Sequence, residues 1–180
     1  MTISDKLIER IKGHEGRRVD PYKDTVDKWT VGYGRNLEDN PLTTEEVLEL
    51  FARTKFKSAE DADVFFENLL IRDIRVHTEE LERNLAMFPV LDASVQTVLI
   101  DMAFNLGVPG LLSFRGMLHA IDNDDKMEAA VELLDSRYAE QVKTRAIDNA
   151  RLLSGGRIAG VLDRLERKNP RRYRIIEGYA

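Results

Sequence analysis

The sequence predicts an α+β fold, in which a small N-terminal lobe with a β-hairpin or sheet precedes a larger helical lobe. The first observation is the short stretch where Trp29, Val31 and Tyr33 alternate with small or polar residues, which is the period of a strand. The second is that apolar residues recur at helical spacing from Pro41 towards the C-terminus. Strands and helices are therefore segregated along the chain, as in α+β folds.

Helix-capping and helix-breaking residues define the elements that we predict before residue 90. Residues 2–12 form an amphipathic pattern that Gly13 interrupts, and the polar run 24–28 suits a hairpin turn. Thr43 and Glu46 have the spacing of a capping box. A long helix follows over about 58–85. At 1.5 Å per residue it is about 40 Å long, enough to connect two lobes.

The second half of the chain reads as helical throughout. Asp92 caps a helix that is apolar on nearly all faces, which predicts the centre of the helical core. Gly107, with Pro109 beyond it, predicts the end of this helix. Shorter helices are predicted over 115–121, 126–134 and 137–153, with another in the basic tail. The division expected is one domain over 1–165, with a small lobe at about 13–57, a connecting helix at about 58–85, a helical lobe at about 86–165 plus 1–12, and a basic C-terminal extension at 166–180.

Composition excludes several classes of protein. The 180 residues are 43% apolar and contain no cysteine, so there is no disulfide and no thiolate metal site. We see no signal peptide and no apolar run of the roughly 18 residues that span a membrane. The three histidines, His14, His77 and His119, are too scattered for a recognisable metal site, and no glycine-rich phosphate loop is present. No cofactor, no metal and no stable membrane insertion are expected.

Charge is distributed unevenly along the chain. The net charge is −5, but residues 164–180 carry six basic residues against two acidic ones, which leaves −9 for residues 1–163. An acidic body argues against a nucleic-acid partner. The basic tail is either a solvated helix end or a segment that binds an anionic surface.

Candidate chemistry is concentrated in residues 13–34. Glu15 stands between two glycines at a helix end, Asp24 follows nine residues later, and Thr30 follows after six more. Glycoside hydrolysis needs one protonated and one ionised carboxyl group, and an apolar and a polar environment favour these two states respectively. Spacing alone is weak evidence among 32 acidic residues. Each position also has a purely structural interpretation. Glu15 could be a surface charge at a helix end, Asp24 a turn residue and Thr30 a strand residue.

Wider blocks of sequence strengthen this interpretation, and they keep their order over residues 1 to about 150. They are Glu15-Gly16, Tyr22-Lys23-Asp24-Thr25, Thr30-Val31-Gly32-Tyr33-Gly34, 99–107, 128–131, Ser136-Arg137 and Arg145-Ala146. In these blocks the chain resembles the phage-type lysozyme family. The resemblance implies a lysozyme-like fold, with a small N-terminal lobe, a long connecting helix, a helical C-terminal lobe and glycan bound between the lobes.

The resemblance also implies residue roles. Glu15, Asp24 and Thr30 match the family's catalytic triad. With inversion at the anomeric centre, Glu15 is expected to be the general acid, and Asp24 with Thr30 to activate water. Inversion predicts roughly 6.5–9.5 Å between the two carboxyl groups.

Four further residues are candidates for glycan or peptide-stem binding. Phe104 matches a family residue that lines the cleft, although a core aromatic fits an apolar helix equally well. Asn105 and Arg145 are candidates with a helix-surface alternative, and Asn36 is a candidate with a turn alternative.

The function expected is that of an endolysin-type muramidase, which hydrolyses the β-1,4 bond between N-acetylmuramic acid and N-acetylglucosamine and lyses a host cell. We expect a monomer that is made in the host bacterial cytoplasm and acts on peptidoglycan after release to the periplasm. Two alternatives stay open. One is a lytic transglycosylase, which closes an anhydro ring without water, and the other is a wall-binding structural module of a phage.

Overall fold

The computed structural model describes residues 4–24, 27–52 and 59–180, and these are mostly helical with one small antiparallel sheet. The predicted α+β class is confirmed. The chain divides into two compact units, of which the first ends at Val76 and the second begins at His77. The elements of the first unit are α1 Asp5–Glu15, β1 Arg18–Lys23, β2 Trp29–Gly32, β3 Arg35–Asn36, α2 Thr44–Ala52 and most of α3 Ala59–Asn84.

Helix α1 runs from Asp5 to Glu15, three residues further than its predicted end. Its N-terminus is capped by Ser4, whose Oγ accepts a hydrogen bond from the N–H of Leu7 at 3.3 Å. The predicted start at Thr2 lies outside the described residues. The helix ends because Gly16 takes φ 66°, a conformation that glycine adopts without steric cost. Glu15 is therefore the last residue of the helix.

The sheet has the strand order β1-β2-β3, and both pairs are antiparallel. The central residue is Thr30, which is paired with Tyr22 of β1 on one side and with Asn36 of β3 on the other. Strands β1 and β2 form the predicted hairpin, and the N–H of Asp24 donates to the carbonyl of Lys28 at 3.0 Å. Residues 25 and 26 of the predicted turn lie outside the described residues.

Helix α2 begins with the predicted capping box. The N–H of Thr43 donates to Glu46 Oε2 at 2.8 Å, and the N–H of Glu46 donates to Thr43 Oγ1 at 3.2 Å. The long helix is confirmed as α3, Ala59–Asn84, while residue 58, at its predicted start, lies outside the described residues.

A group of polar side chains, of which all but Asn40 are buried, joins β3, the following turn, α2 and α3. We call it the Arg35 cluster, and its members are Arg35, Asn40, Glu46 and Asp73. Arg35 Nη1 lies 3.0 Å from Glu46 Oε1 and 3.1 Å from Asp73 Oδ1. Burial raises the pKa of Asp73 to about 6, and it outweighs the opposing effects of the Arg35 cation and the Asn40 hydrogen bond.

The second unit is built around α4, Ala93–Leu112, which Asp92 caps as predicted. Gly107, with φ 71° and ψ 157°, breaks the helix where its end was predicted, but the chain resumes a helical path through Pro109 to Leu112. Among the described residues, α4 is the one helix long and apolar enough to cross a membrane, and half of that apolar stretch is buried. Side chains such as Val98, Leu99 and Met102 are fully buried, as in the core helix of a globular unit.

The remaining helices are short. They are α5 Arg115–Asp122, α6 Lys126–Leu134, α7 Arg137–Val142, α8 Thr144–Leu153, α9 Ile158–Lys168 and α10 Pro170–Ile176. The prediction of a single helix over 137–153 is wrong, because Lys143 adopts φ 48° between α7 and α8.

The basic tail, residues 164–180, is part of the second unit and packs against its other helices. Leu165 of α9 and Ile176 of α10 are fully buried. Lys168 forms an ion pair with Glu132 of α6, and Arg172 forms one with Glu140 of α7. Part of the tail's positive charge is therefore matched by carboxylates of the same unit.

The buried carboxyl of Asp73 makes stability depend on pH. Its pKa in the folded protein is about 6, above the ordinary value of about 4. The folded state therefore binds the proton more tightly, and stability is lost as the pH rises through 6. We expect the free-energy advantage of Asp73→Asn over wild type to grow by up to about 3 kcal/mol between pH 4 and pH 7.5.

Urea unfolding at the two pH values measures this difference. Asp122→Asn is the matched control, because Asp122 is an exposed carboxylate at the end of α5, and its difference from wild type should stay constant. If the stability difference between Asp73→Asn and wild type is also the same at both pH values, the Arg35 ion pair fully offsets the cost of burying the Asp73 carboxyl group.

Candidate active site

Glu15 lies against the backbone of Gly34, the residue between β2 and β3 that directly precedes Arg35. Gly34 has φ 83°, and a Cβ placed on it would come within 2.9 Å of Glu15 Oε2. Only glycine combines this left-handed conformation with the room that the carboxyl group occupies. Gly34 therefore leaves free the space that the carboxyl group of Glu15 occupies.

The helix that carries Glu15 is held to α3 by ion pairs. Lys12 Nζ lies 2.8 Å from Glu67 Oε2, and Arg17, just after the helix, binds Asp63. The pKa of Lys12 is raised, chiefly by its hydrogen bond to Glu67. These contacts fix the end of α1 on both sides of Glu15.

Asp24 and Thr30 share a partner in Lys28 at the hairpin. The N–H of Lys28 donates to Asp24 Oδ1 at 2.9 Å, and Thr30 Oγ1 donates to the carbonyl of Lys28 at 3.2 Å. Thr30 is buried. The turn therefore sets the position of the carboxylate relative to the hydroxyl through the backbone of one residue.

Tyr22 is related to all three predicted catalytic residues, to one by strand pairing and to two by charge. It is the cross-strand partner of Thr30, and cross-strand partners point to the same face of a sheet. Its pKa is raised, first by burial and then by the negative charges of Glu15 and Asp24, against the Arg18 cation. Tyr22 is thus paired with Thr30 and lies within range of the charges of Glu15 and Asp24 in the first unit.

Asn36, a predicted sugar-binding residue, is engaged in a turn. Its Nδ2 donates to Asp39 Oδ2 at 2.9 Å, and its Oδ1 accepts from the N–H of Glu38 at 2.9 Å and from that of Asp39 at 3.1 Å. Both polar ends of the side chain have partners. These contacts favour the turn alternative, and a sugar contact stays a prediction.

The other three predicted binding residues lie in the second unit. Phe104 is partly exposed and packs edge-to-face on His77, with ring centroids 5.8 Å apart, and Asn105 is exposed. Arg145 is buried, and its Nε and Nη2 donate to the carboxylate of Asp101 at 3.2 Å. Asn149 donates to the same carboxylate at 2.8 Å. These contacts favour a structural role for Arg145, because its donors serve a buried acid.

Two residues with a direct part in this geometry were not singled out by sequence reasoning, namely Tyr22 and Arg35. Tyr22 lies opposite Thr30 because of the pairing of β1 with β2, so the register of the predicted hairpin is the sequence feature that could have identified it. Arg35 carries no local signal, because its acid partners Glu46 and Asp73 are 11 and 38 positions away in the chain. In the described part of the chain, no group of three or more histidine or acidic side chains is arranged to hold a metal ion.

Two carboxyl groups are what a glycoside hydrolase of the acid–base type requires, and here a helix end and a hairpin carry them, with a threonine hydroxyl on the same hairpin. Residues 12–153 match the family model of phage lysozyme. The chain belongs to the phage lysozyme family, and it is a lysozyme-type glycoside hydrolase that acts on peptidoglycan.

Several named proteins are similar to the chain. Two probable T4-type lysozymes of Dictyostelium discoideum, numbered 2 and 1, are each 25% identical to the chain, over 150 and 154 residues, and each match covers 78% of the chain and 88% of the relative. The pre-baseplate central spike protein Gp5 of Enterobacteria phage T4 is 28% identical over 153 residues, which are 78% of the chain but 26% of the spike protein. An endolysin of Acyrthosiphon pisum secondary endosymbiont phage 1 is 40% identical over 55 residues. These are 29% of the chain and 38% of that endolysin.

The contact between Gly34 and Glu15 can be tested by adding a single methyl group. In Gly34→Ala the left-handed conformation costs roughly 1–2 kcal/mol, and the new Cβ must displace the Glu15 carboxyl group. We expect activity on peptidoglycan to fall about 10–100-fold, because small misplacements of a reacting group are costly.

Gly32→Ala is the matched control. Gly32 also has a positive φ, but its added Cβ would meet the ring of Phe66 at 2.6 Å instead of Glu15. It should lower the melting temperature, with a smaller loss of activity for the folded protein. Equal activity losses in the two variants at matched stability would contradict the role of Gly34.

Proposed function

We propose that the chain is a muramidase that hydrolyses the β-1,4 bond between N-acetylmuramic acid and N-acetylglucosamine, with Glu15, Asp24 and Thr30 as its catalytic residues. The observation that carries the proposal is the geometry of the hairpin, where Asp24 and Thr30 both hydrogen-bond to Lys28, together with the Glu15 carboxyl group set against Gly34 in the same unit. Membership of the lysozyme family supports the substrate class.

In the proposed reaction, Glu15 gives its proton to the glycosidic oxygen as the bond from this oxygen to the anomeric carbon breaks. A water held by Asp24 and Thr30 attacks the anomeric carbon from the opposite face and passes its proton to Asp24. The products are a new reducing end and a free hydroxyl, and the anomeric configuration inverts. The shared hydrogen bonds of Asp24 and Thr30 to Lys28 support a joint role in holding this water.

A lytic transglycosylase reaction is the first competing function. It needs one acid, uses no water and leaves an anhydro ring at the cleaved sugar. The placement of a second carboxylate beside a threonine hydroxyl favours hydrolysis, because the anhydro reaction gives Asp24 no water to activate.

A part in a phage particle is the second competing function, and the match to the central spike protein Gp5 favours it. The chain spans about a quarter of that protein. Under this alternative, the same chemistry would serve a virion and not the release of progeny. Detection of the chain in purified particles by mass spectrometry would support it.

We further propose the biological setting of an endolysin. The enzyme is made in the bacterial cytoplasm, reaches the wall after the membrane has been breached, acts as a monomer, and causes cytolysis of the host, with an antibacterial effect. The partial match to an endolysin supports this setting. The relatives of Dictyostelium discoideum carry the name of lysozyme only, so membership of the family leaves open which cell uses the activity.

The catalytic assignment is tested on purified peptidoglycan. We expect wild type to clear the suspension and release reducing ends without anhydro-muramic acid, as mass spectrometry of the sugars will show. Glu15→Gln and Asp24→Asn should each lose about 100-fold or more in rate, because each removes a group that moves a proton.

Glu9→Gln and Asp20→Asn are the controls, because both side chains are exposed acids within a few residues of the site. Full activity in Glu15→Gln would refute the catalytic assignment. Anhydro products from wild type would favour the transglycosylase.

The basic tail is proposed to steer the enzyme to the anionic wall. Lys168 and Arg172 are paired with Glu132 and Glu140, so three other exposed residues are its best candidates. They are Arg167, Arg171 and Arg174. Replacing all three with glutamine should weaken binding to peptidoglycan more at 20 mM than at 300 mM salt, because the screening length shortens to several Å as salt rises.

A triple glutamine variant at exposed cations outside the tail removes the same net charge and is the control. It carries substitutions at Lys6, Arg83 and Arg137. An equal loss of binding in the two triple variants, or a loss independent of salt, would reject a specific role for the tail. Deleting residues 164–180 is less informative, because it also removes the buried Leu165 and Ile176.

A further inference from the structure

We propose that Arg35 is a positioning residue for the hydrolysis, which holds Gly34 and Asn36 so that the backbone around them fits both Glu15 and Thr30. This inference rests on the proposed function, because it assumes that Glu15 and Thr30 take part in the reaction. It adds a residue that touches none of the reacting atoms.

The first support is the complete use of the Arg35 guanidinium group, which is buried with 6% of the residue exposed. Nε donates to the carbonyl of Asn40 at 3.1 Å, and Nη2 donates to the carbonyl of Pro41 at 3.0 Å and to Asn40 Oδ1 at 3.2 Å. Nη1 donates to Glu46 Oε1 at 3.0 Å, and Nη2 lies 3.0 Å from Glu46 Oε2. One side chain thus ties β3 to the following turn, to α2 and, through Asp73, to α3.

The second support is what the chain next to Arg35 does. Gly34, one residue before it, lies against the Glu15 carboxyl group. Asn36, one residue after it, pairs with Thr30 across the sheet, and the N–H of Leu37 donates to the carbonyl of Trp29 at 2.7 Å. The segment centred on Arg35 therefore touches the proposed acid at one end and the strand of the proposed water-binding hydroxyl at the other.

The third support is that β3 has little to hold it otherwise. It is two residues long, and the glycine before it has a left-handed backbone that favours no regular strand. A strand this short contributes few ladder hydrogen bonds. The buried guanidinium supplies the missing constraint, because its planar fork fixes direction as well as distance.

The geometry also explains why an arginine is required. The acceptors around Arg35 are two carboxylates, two backbone carbonyls and an amide oxygen, and they are shared among all three guanidinium nitrogens. A lysine ammonium has three donors at a single point and cannot reach all of them. The positioning should therefore depend on the shape of the group and not only on its positive charge.

The test compares Arg35→Lys and Arg35→Met with wild type in kcat and KM on solubilised peptidoglycan, at a temperature where circular dichroism shows each variant to be folded. We expect Arg35→Met to lose about 10–100-fold in kcat with KM within about threefold of wild type, because misplaced reacting groups slow the chemistry. Arg35→Lys should recover part of kcat. If Arg35→Met does not fold, Arg35→Lys carries the test, since it keeps the charge and most of the volume.

Arg72→Met is the matched control. Arg72 binds Glu49 at 3.1 Å and approaches Glu46 at 3.5 Å. Its replacement therefore removes a cation from the Glu46 carboxylate, which Arg35 also binds, without changing a contact of β3. Unchanged kcat in both folded Arg35 variants, a change in KM alone, or an equal kcat loss in Arg72→Met would overturn the proposal. Glu15→Gln is measured in parallel. If it keeps full activity, the proposed catalytic site fails, whereas its inactivity with normal Arg35 variants rejects only the positioning role.

Discussion

The close approach of the Glu15 carboxyl group to the backbone of Gly34 is the constraint on which the rest of the site depends. It requires that α1 end at Glu15, one residue before Gly16 with its positive φ, and that a second glycine with positive φ, Gly34, lie opposite the Glu15 side chain. Ion pairs from Lys12 and Arg17 to α3 hold the helix end, and the Arg35 cluster holds the strand that follows Gly34. The acid is thus fixed between two independently supported pieces of backbone.

Several charged side chains of the first unit are both paired with an opposite charge and buried. The Arg35 cluster places one guanidinium and two carboxylates out of water, and the raised pKa of Asp73 records that pairing does not recover the whole loss of hydration. A buried ion pair of this kind adds little net stability, and here the pairs connect β3 to α2 and α3. Asp101 and Arg145 form a comparable pair in the second unit, where Asn149 completes the hydrogen bonding of the acid.

Local features of the fold were predictable from the sequence, and distant contacts were not. The structure confirms the predicted capping box of Thr43 and Glu46 and the predicted cap at Asp92. These features are predictable because a cap depends on residues about three positions apart. The break at Lys143 was missed, because a positive φ at a lysine leaves no mark in the sequence. The occupied side chains of Asn36 and Arg145 were also invisible, since their partners depend on a turn conformation and on helix packing.

The exposed indole of Trp29 has a practical consequence. It is the chain's only tryptophan, it is 47% exposed, and the Lys23 ammonium group lies 4.9 Å from its ring centroid. Because Trp29 directly precedes Thr30, its fluorescence comes from a single known place, the strand that carries the buried hydroxyl. The molecule therefore contains a built-in optical probe of its hairpin, and unfolding or ligand titrations can follow this strand without any added label.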